Sequence, residues 1–589
     1  MAPKRKGFAA ALIGIAALGA LPAPAMANSS AVDYFRARAT SSNVPQLLSS
    51  DERAFYADLF RAIDGQDWVK VDTMLAQKPD GPLTQVAMAE YYLDANSPRI
   101  ELPAIQAWLA KGDSLPQAEQ ITNLGMKRGL MSAPYLPRQN SFTSQPYISK
   151  RILPDGIRDG TMPADIASAI TERIVSDDPD GARLLLDGIN ATLSSAARAE
   201  WRQRVAWSYY IENQDPAAFA MAQTVAEGSG PWVAEGAWVA GLAAWRMGHC
   251  EPAAQGFRDA ARQAANPELS AAGYYWASRA LVRCRKPEAA AEELRGAARM
   301  DETLYGMLAR EQLGETLPGA GATADLDAND WRRLRDVDNV RVAVALSEIG
   351  RDELADEVLR HQARIGDPDQ FDALCRLARE LGLPSTQLWM AHNVPRGGHA
   401  DPSLRYPAPK WQPVDGWKVD PALAFAHSLQ ESNFRAAVVS PKGARGLMQI
   451  MPAAAQDHSG ALGYTGRPSD LNRPEVNLAF GQRHLETLKN SGATGGLLPK
   501  VMAAYNAGLV PVGRWNSEVN DEDDPLLYME SIPYWETRGY VAIVMRNYWM
   551  YERQAAAPSP SREALAQGMW PTFPDVSSGG GPVRLSRAD

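Results

Sequence analysis

AGLAAWRMGHCEPAAQGF, residues 240–257, and ASRALVRCRKPEAAAEEL, residues 277–294, are two copies of one pattern. In each, a helix-forming run with small and apolar residues on one face meets a short break carrying Pro252 or Pro287. A second Ala-rich run then begins. The two prolines stand 35 residues apart, close to the period of stacked helix pairs. Such a pair cannot bury its apolar face alone, so neighbours stack into a curved solenoid. The competing reading is two ordinary Ala-rich hairpins in an irregular bundle.

Outward from this pair the same texture runs from about Ala31 to Met390. Alanine and leucine abound, alternating β-branched runs are scarce, and short breaks such as Asp177-Asp178-Pro179-Asp180-Gly181 and Gly228-Ser229-Gly230-Pro231 separate the segments. With 589 residues the chain is too long for one core. The expected class is all-α, with a helical solenoid over 28–393. Before it, Lys4, Arg5 and Lys6 precede an apolar run from Phe8 to Leu21 and then Ala25-Met26-Ala27. That is the layout of a secretory signal peptide over 1–27, too short for a bilayer span. Asn28 follows the cut, so no lipid-modified cysteine is indicated. The expectation is a soluble, exported, periplasmic chain with no membrane span after signal removal. Export would permit disulfides. Cys250 and Cys284 hold similar places in the two repeats, but packed helix axes lie roughly 8–10 Å apart and a bridge needs Cα atoms within about 7 Å. Buried free thiols are therefore expected.

On the other side the texture changes. Seven prolines and glycines cluster between Val394 and Gly416, and proline blocks helix continuation, so 394–416 reads as a linker. Residues 417–555 form a motif-rich unit. The segment 556–589, dense in Pro, Ser, Gly and Ala, reads as a flexible tail in which Trp570 and Phe573 can dock locally. The net charge of −9 speaks against a nucleic-acid partner.

Within the motif-rich unit, Asp420-Pro421 opens a helix with an N-cap acceptor and proline in the first turn. Phe425 and Leu429 face the core, and Glu431-Ser432-Asn433 comes at the helix end. Ser440 to Gly446 is a turn-rich loop leading into Leu447-Met448-Gln449-Ile450-Met451, and Pro452 starts the next helix. Asn472, three residues before Glu475, has capping-box spacing, and Leu478, Gly481, Leu485 and Leu488 mark a buried stripe. Ala503 to Ala507 ends a third helix, with Gly508 as its C′ residue. A fourth runs from about Pro533 with Thr537, Val541, Val544, Tyr548 and Tyr551 on one face.

ESNF (431–434), GARGLMQIMP (443–452), AAYNAG (503–508) and ESIPYWETRGYV (530–541) resemble, in that order and at these separations, the soluble lytic murein transglycosylases. Their catalytic domain is similar to goose-type lysozyme and follows an N-terminal α-superhelix. Leu304 to Ala309 also resembles a segment of that superhelix. The resemblance implies a peptidoglycan lyase that cleaves the MurNAc-GlcNAc β-1,4 bond and forms 1,6-anhydro-MurNAc ends. It makes Glu431 the sole catalytic acid and base. It places Gln449 and Met451 beside it in the sugar cleft, Tyr505 and Asn506 on the opposite wall, and Glu530 on the sugar. Ser432 and Tyr540 become supporting substrate-site residues, with simple aromatic packing the other reading of Tyr540. Glycan strands are the implied partner, with cell-wall synthesis or remodelling proteins as further candidates. No metal and no cofactor is implied, and the seven histidines are scattered; His427 reads as packed.

Glu431 must hold its proton near neutral pH, which calls for an apolar, partly dry cleft. Leu447, Met448 and Met451 are candidates for its wall. Most glycosidases supply a second carboxylate, but Arg435, Lys442 and Arg445 follow Glu431 instead, and could meet stem-peptide carboxylates. Asp457 and Asp470 stay open as second carboxylates. Two other readings follow: a hydrolytic muramidase or chitinase on the same fold, and a non-catalytic glycan-binding scaffold.

Overall fold

The computed structural model describes residues 30–145, 148–317, 325–398, 402–456, 462–574 and 576; the expected signal segment lies outside them. The fold is all-α, as the sequence predicts, and its two described strands, Phe142–Ser144 and Asn393–Pro395, pair only with each other.

The repeat forms two helix pairs, Trp232–Arg246 with Cys250–Gln263 and Pro267–Arg283 with Pro287–Ala298. Small residues let the backbones close up. A Cβ on Gly256 would stand 2.7 Å from the Gly241 nitrogen, and one on Gly241 would stand 2.5 Å from the Phe257 ring. Phe257 fills the remaining space against Trp238 and Trp276, with centroids 5.2 and 5.6 Å away. Ion pairs Glu251–Lys286 and Arg258–Glu293, both at 2.6 Å, join one repeat to the next at the repeat's own spacing.

The expectation of free thiols fails here. Cys250 and Cys284 form a disulfide, with Cα atoms 5.6 Å apart. The spacing of packed helix axes does not govern them, because Cys250 is the first residue of one helix and Cys284 caps the end of another. Chain turns bring these ends closer than the helix bodies. Cys375, the third cysteine, is buried.

The array is also less uniform than its composition suggests. Helices stop at Lys127 and resume at Ala164. Pro134, Pro137, Pro154 and Pro163 break this stretch, and its strand Phe142–Ser144 pairs with the chain just after the last superhelical helix, Pro384–His392. Among the described residues two large buried cores result, beside a small cluster of Ala199, Val225, Trp232 and Val233. One joins residues from Leu48–Ile121 to residues from Leu326–Leu404; the other runs without a break from Ile170–Ala309 into Tyr406–Phe573. The first described helix, Ala31–Thr40, sits on the second core, with Phe35 5.4 Å from Phe425.

The predicted linker lies against the C-terminal unit: Tyr406 is buried, and the Tyr551 hydroxyl donates to the Pro407 carbonyl at 2.7 Å. The predicted flexible tail is docked as far as Phe573. It forms a helix, Pro560–Ala566, buries Leu565, Ala566 and Phe573, and bonds its backbone to Leu498 and Gly496. Its few apolar residues suffice because Gln312 and Arg562–Glu311 tie it to the superhelix as well.

Candidate active site

The helix carrying Glu431, Pro421–Ser432, starts as the sequence predicts. The Asp420 carboxylate accepts from the Ala422 amide at 2.9 Å, and proline occupies the first turn. The helix is buried along almost its whole length. Asn433 and Phe434 then adopt positive φ, 49° and 59°, which stops the helix and returns the chain to the core at Phe434. Glu431 is left half-buried in the last turn.

Burial pushes the Glu431 carboxyl up to about 7, the Glu536 charge adds to this, and a hydroxyl from Tyr540 opposes it. That hydroxyl donates to Oε1 of Glu431 at 2.7 Å. Tyr540 belongs to Trp535–Gln554 and lies parallel to Tyr505, at 8° and 6.3 Å between centroids. The Tyr505 hydroxyl donates to the Met448 carbonyl at 2.8 Å. The Thr537 hydroxyl donates to Asn506 Oδ1 at 2.6 Å. Glu431, Tyr505, Tyr540 and the loop bearing Gln449 are thus brought together, with Asn506 fastened to the same helix as Tyr540.

The loop is a small hairpin in which Arg445 bridges Val439 and Ile450. Asn477 clasps it. Its amide donates to the Arg445 and Leu471 carbonyls and its oxygen accepts from the Met448 amide, all at 2.8 Å. Gly446, at φ 76°, has no room for a side chain: a Cβ would lie 2.2 Å from the Asn477 amide. Gln449 takes φ 51° and donates to the Gly446 carbonyl at 2.9 Å.

Several expectations change. Leu447 and Met448 are fully buried while Met451 is exposed, so the surface beside Glu431 is aromatic, from Tyr505 and Tyr540, instead of aliphatic. The Ser432 hydroxyl is buried and donates to the Ser428 carbonyl one turn back at 3.0 Å, which removes it from the cleft. Glu530 is buried at the superhelix junction, where Tyr305 donates to it at 2.8 Å. Arg435 lines a cavity of about 890 Å³ shared with Asp64, Glu90, Asp352, Asp356 and Glu357, and its Nε donates to the Ser432 carbonyl at 3.1 Å. Asp470 accepts from the Thr465 amide and hydroxyl, both at 2.7 Å; Asp457 lies outside the described residues. The predicted Asn472 cap is displaced: the helix begins at Pro474, with no side-chain cap.

Sequence reasoning missed three things here. His427, one turn before Glu431, is fully buried with Nδ1 2.7 Å from the Tyr540 hydroxyl; its i, i+4 spacing was the available signal. Asn477 was a polar residue within a buried stripe. The extended segment delivers Lys150 to Gln430 Oε1 at 3.3 Å, and Arg151 to a buried pair with Glu235 at 3.1 Å. Nothing in the sequence marks that crossing.

Residues 412–527 match the family model described as the transglycosylase SLT domain. This unit is an SLT domain. The match contains Glu431, Gln449, Met451, Tyr505 and Asn506 and stops short of Glu530 and Tyr540. The chain is 35% identical over 152 residues to the soluble lytic murein transglycosylase of Escherichia coli K12, covering 25% of this chain and 23% of that protein. It is 38% identical over 103 residues to the endo-type membrane-bound lytic murein transglycosylase A of Klebsiella pneumoniae (strain 342), 16% of this chain and 51% of that one. The aligned region thus spans about a quarter of the soluble relative's length and about half of the membrane-bound one's. Beyond the SLT domain, the likeness is one of fold. The 70-kDa soluble lytic transglycosylase in complex with bulgecin A superposes with a TM-score of 0.53 at 19% identity, over 90% of this chain and 100% of that one.

Proposed function

We propose that the protein is an exported lytic transglycosylase that cleaves the MurNAc-GlcNAc β-1,4 bond of peptidoglycan. The observation that carries this reading is the Glu431 carboxyl, half-buried, hydrogen-bonded to Tyr540 and raised to about 7. At its ordinary value of 4.5, roughly one such group in several hundred would be protonated at pH 7; at about 7, about half are. A general acid is therefore present at neutral pH, and its conjugate base is accessible in the next step.

In the first step the Glu431 proton passes to the glycosidic oxygen and the bond to C1 breaks. The substrate's own N-acetyl oxygen stabilises C1. In the second step the C6 hydroxyl attacks C1, its proton returns to the Glu431 carboxylate, and a 1,6-anhydro-MurNAc end is released without water. Gln449, Met451, Tyr505 and Asn506 bind the sugars in this reading, and Tyr540 orients the acid. Names of the relatives and the shared SLT domain support it. Among the described residues no helix is long and apolar enough to cross a membrane, which is compatible with the proposed periplasmic location.

One observation favours a second reading, hydrolysis with a second carboxylate. Glu536 lies near enough for its charge to act on Glu431. Digestion of purified sacculi followed by mass analysis separates the two. Anhydro ends, one water lighter than reducing ends, are expected; reducing ends lost in Glu536→Gln would replace the transglycosylase reading with the hydrolytic one.

A further inference from the structure

Glu431 and Tyr540 take part in the proposed reaction, and His427 stands behind them with no role in the proton transfers. A fully buried histidine needs a reason, because its polar ring nitrogens lose water on folding. Its Nδ1 lies 2.7 Å from the Tyr540 hydroxyl, which lies 2.7 Å from Glu431 Oε1. Three side chains thus share two short hydrogen bonds, and the middle one has a single proton to give.

The direction of that chain follows from the far side of the ring. Nε2 is buried and has no partner among the described residues. With the proton on Nε2, a buried N–H would go unanswered, which is rarer in folded proteins than an unanswered acceptor. Tyr540 would then have to donate to Nδ1 and could not donate to Glu431. With the proton on Nδ1, only a lone pair is left unanswered at Nε2. The Tyr540 oxygen accepts from His427, and its own proton goes to Oε1. Tyr505 packs against the imidazole at 4.5 Å between centroids, tilted by 44°, and the ring is fully buried, which restricts its rotation. Burial holds His427 neutral, down to about 3, so it keeps this single proton across the working range.

We propose that His427 is a positioning residue: its Nδ1–H fixes the Tyr540 hydroxyl as a donor to Oε1 of Glu431, so that the acid proton resides on Oε2. An oxygen that accepts from Tyr540 cannot also present a proton toward Tyr540 without two hydrogens meeting in one bond. Oε2 is then the oxygen that gives the proton to the leaving group and takes one from the C6 hydroxyl. His427 and Tyr540 return to the same protonation states after each turnover.

The groups that face this chain are few. Tyr540 and Glu536 come from the helix Trp535–Gln554, Tyr505 from Leu498–Ala507, His484 from Pro474–Lys489, and Lys150 from the extended segment beside Gln430. His484 is itself lowered by burial, so neither it nor His427 adds a positive charge near neutral pH. The chain therefore tunes Glu431 through hydrogen bonds more than through charge.

The proposal rests on Glu431 being the acid, and its test is read without substrate. The carbonyl stretch of protonated Glu431, isolated by subtracting the Glu431→Gln spectrum, is titrated in the full-length protein. His427→Phe removes the donor, weakens the Tyr540 bond and is expected to move the Glu431 midpoint upward, with kcat down about tenfold. His427→Asn places an amide N–H near the Nδ1 position and is expected to restore the wild-type midpoint. In a Tyr540→Phe background, His427→Phe is expected to add nothing, since the pair acts as one path. A downward shift in His427→Phe would mean that Tyr540 had been donating to the histidine, and overturns the proposal. No shift, or an equal shift without Tyr540, assigns His427 to packing and overturns it too. Failure of the transglycosylase reading would appear in the products of sacculus digestion and leaves this titration unchanged.

Discussion

The superhelical repeats and the SLT domain are both helical, yet they give their buried carboxyls different partners. Between residues 232 and 298 the helices close on glycine, alanine and tryptophan; the Glu251–Lys286 pair stays at the surface, while the buried Glu235 and Glu268 are each paired with an arginine, Arg151 and Arg546. In the SLT domain and the helix that follows it, titratable groups are taken inside and displaced. Glu431 is raised to about 7, Asp420 to about 6 and Glu552 to about 8, and His427 is lowered to about 3, burial being the first cause each time. One region stacks by shape and answers its buried carboxyls with arginines. The other accepts a cost in stability to hold a carboxyl near its working range.

That contrast can be broken at the disulfide. Replacing Cys250 and Cys284 by alanine opens a loop with a sequence separation of 34, and is expected to cost about 3–4 kcal/mol. A denaturant titration measures it, and the Glu431 midpoint should not move. Loss of that midpoint along with the stability would show the two regions to be coupled more tightly than their chemistry suggests.

A smaller effect sharpens the other side. The folded protein holds the Glu552 proton up to about pH 8, while the unfolded chain releases it near the ordinary 4.5. The folded state therefore binds more protons across that window, and stability falls as pH rises from about 4.5 to about 8 and levels above it. Asp420 and Glu431 act in the same direction. Glu552→Gln should flatten this dependence, seen as a smaller difference in Tm between pH 5 and pH 8.5; an unchanged slope would move its origin elsewhere. The least effect is expected for Lys286→Ala, whose pair with Glu251 is exposed on both sides and should leave Tm unchanged within error.

The same contrast explains what could be read in advance. Repeat helices were legible because Pro252 and Pro287 punctuate a periodic pattern that local propensity supports. The disulfide was not, because helix spacing describes helix bodies and says little of ends such as Cys250. Pro474 could have corrected the Asn472 cap, since proline favours the first helical turn. In the SLT domain, the proximity of Glu431, Tyr505 and the loop bearing Gln449 was legible from ordered motifs. The burial of Glu530 under Tyr305 was not legible, because Tyr305 lies 225 residues away in sequence, on a helix whose docking no local pattern encodes. His427 was visible as a neighbour of Glu431 one turn back, but its partner Tyr540 comes from a different helix. Long-range hydrogen bonds made the difference in both cases.

The superhelix and the SLT domain also share a core: residues 170–309 bury apolar surface together with 406–573. Tyr305 on Glu530, Tyr210 on Ser531, and Arg538 stacked over Trp207 at 3.9 Å hold the junction. Arg538 stands two residues before Tyr540, so the first turn of the helix that contacts Glu431 is set by the superhelix.

The central claim, that Glu431 is the group that breaks the glycan, is tested most directly by incubating Glu431→Gln with purified sacculi and measuring released fragments by mass. The amide is close to the acid in shape but cannot supply the proton. Release is expected to fall to the enzyme-free background, with Tm and sacculus binding preserved; release within about twofold of wild type would contradict the assignment of Glu431 as the acid.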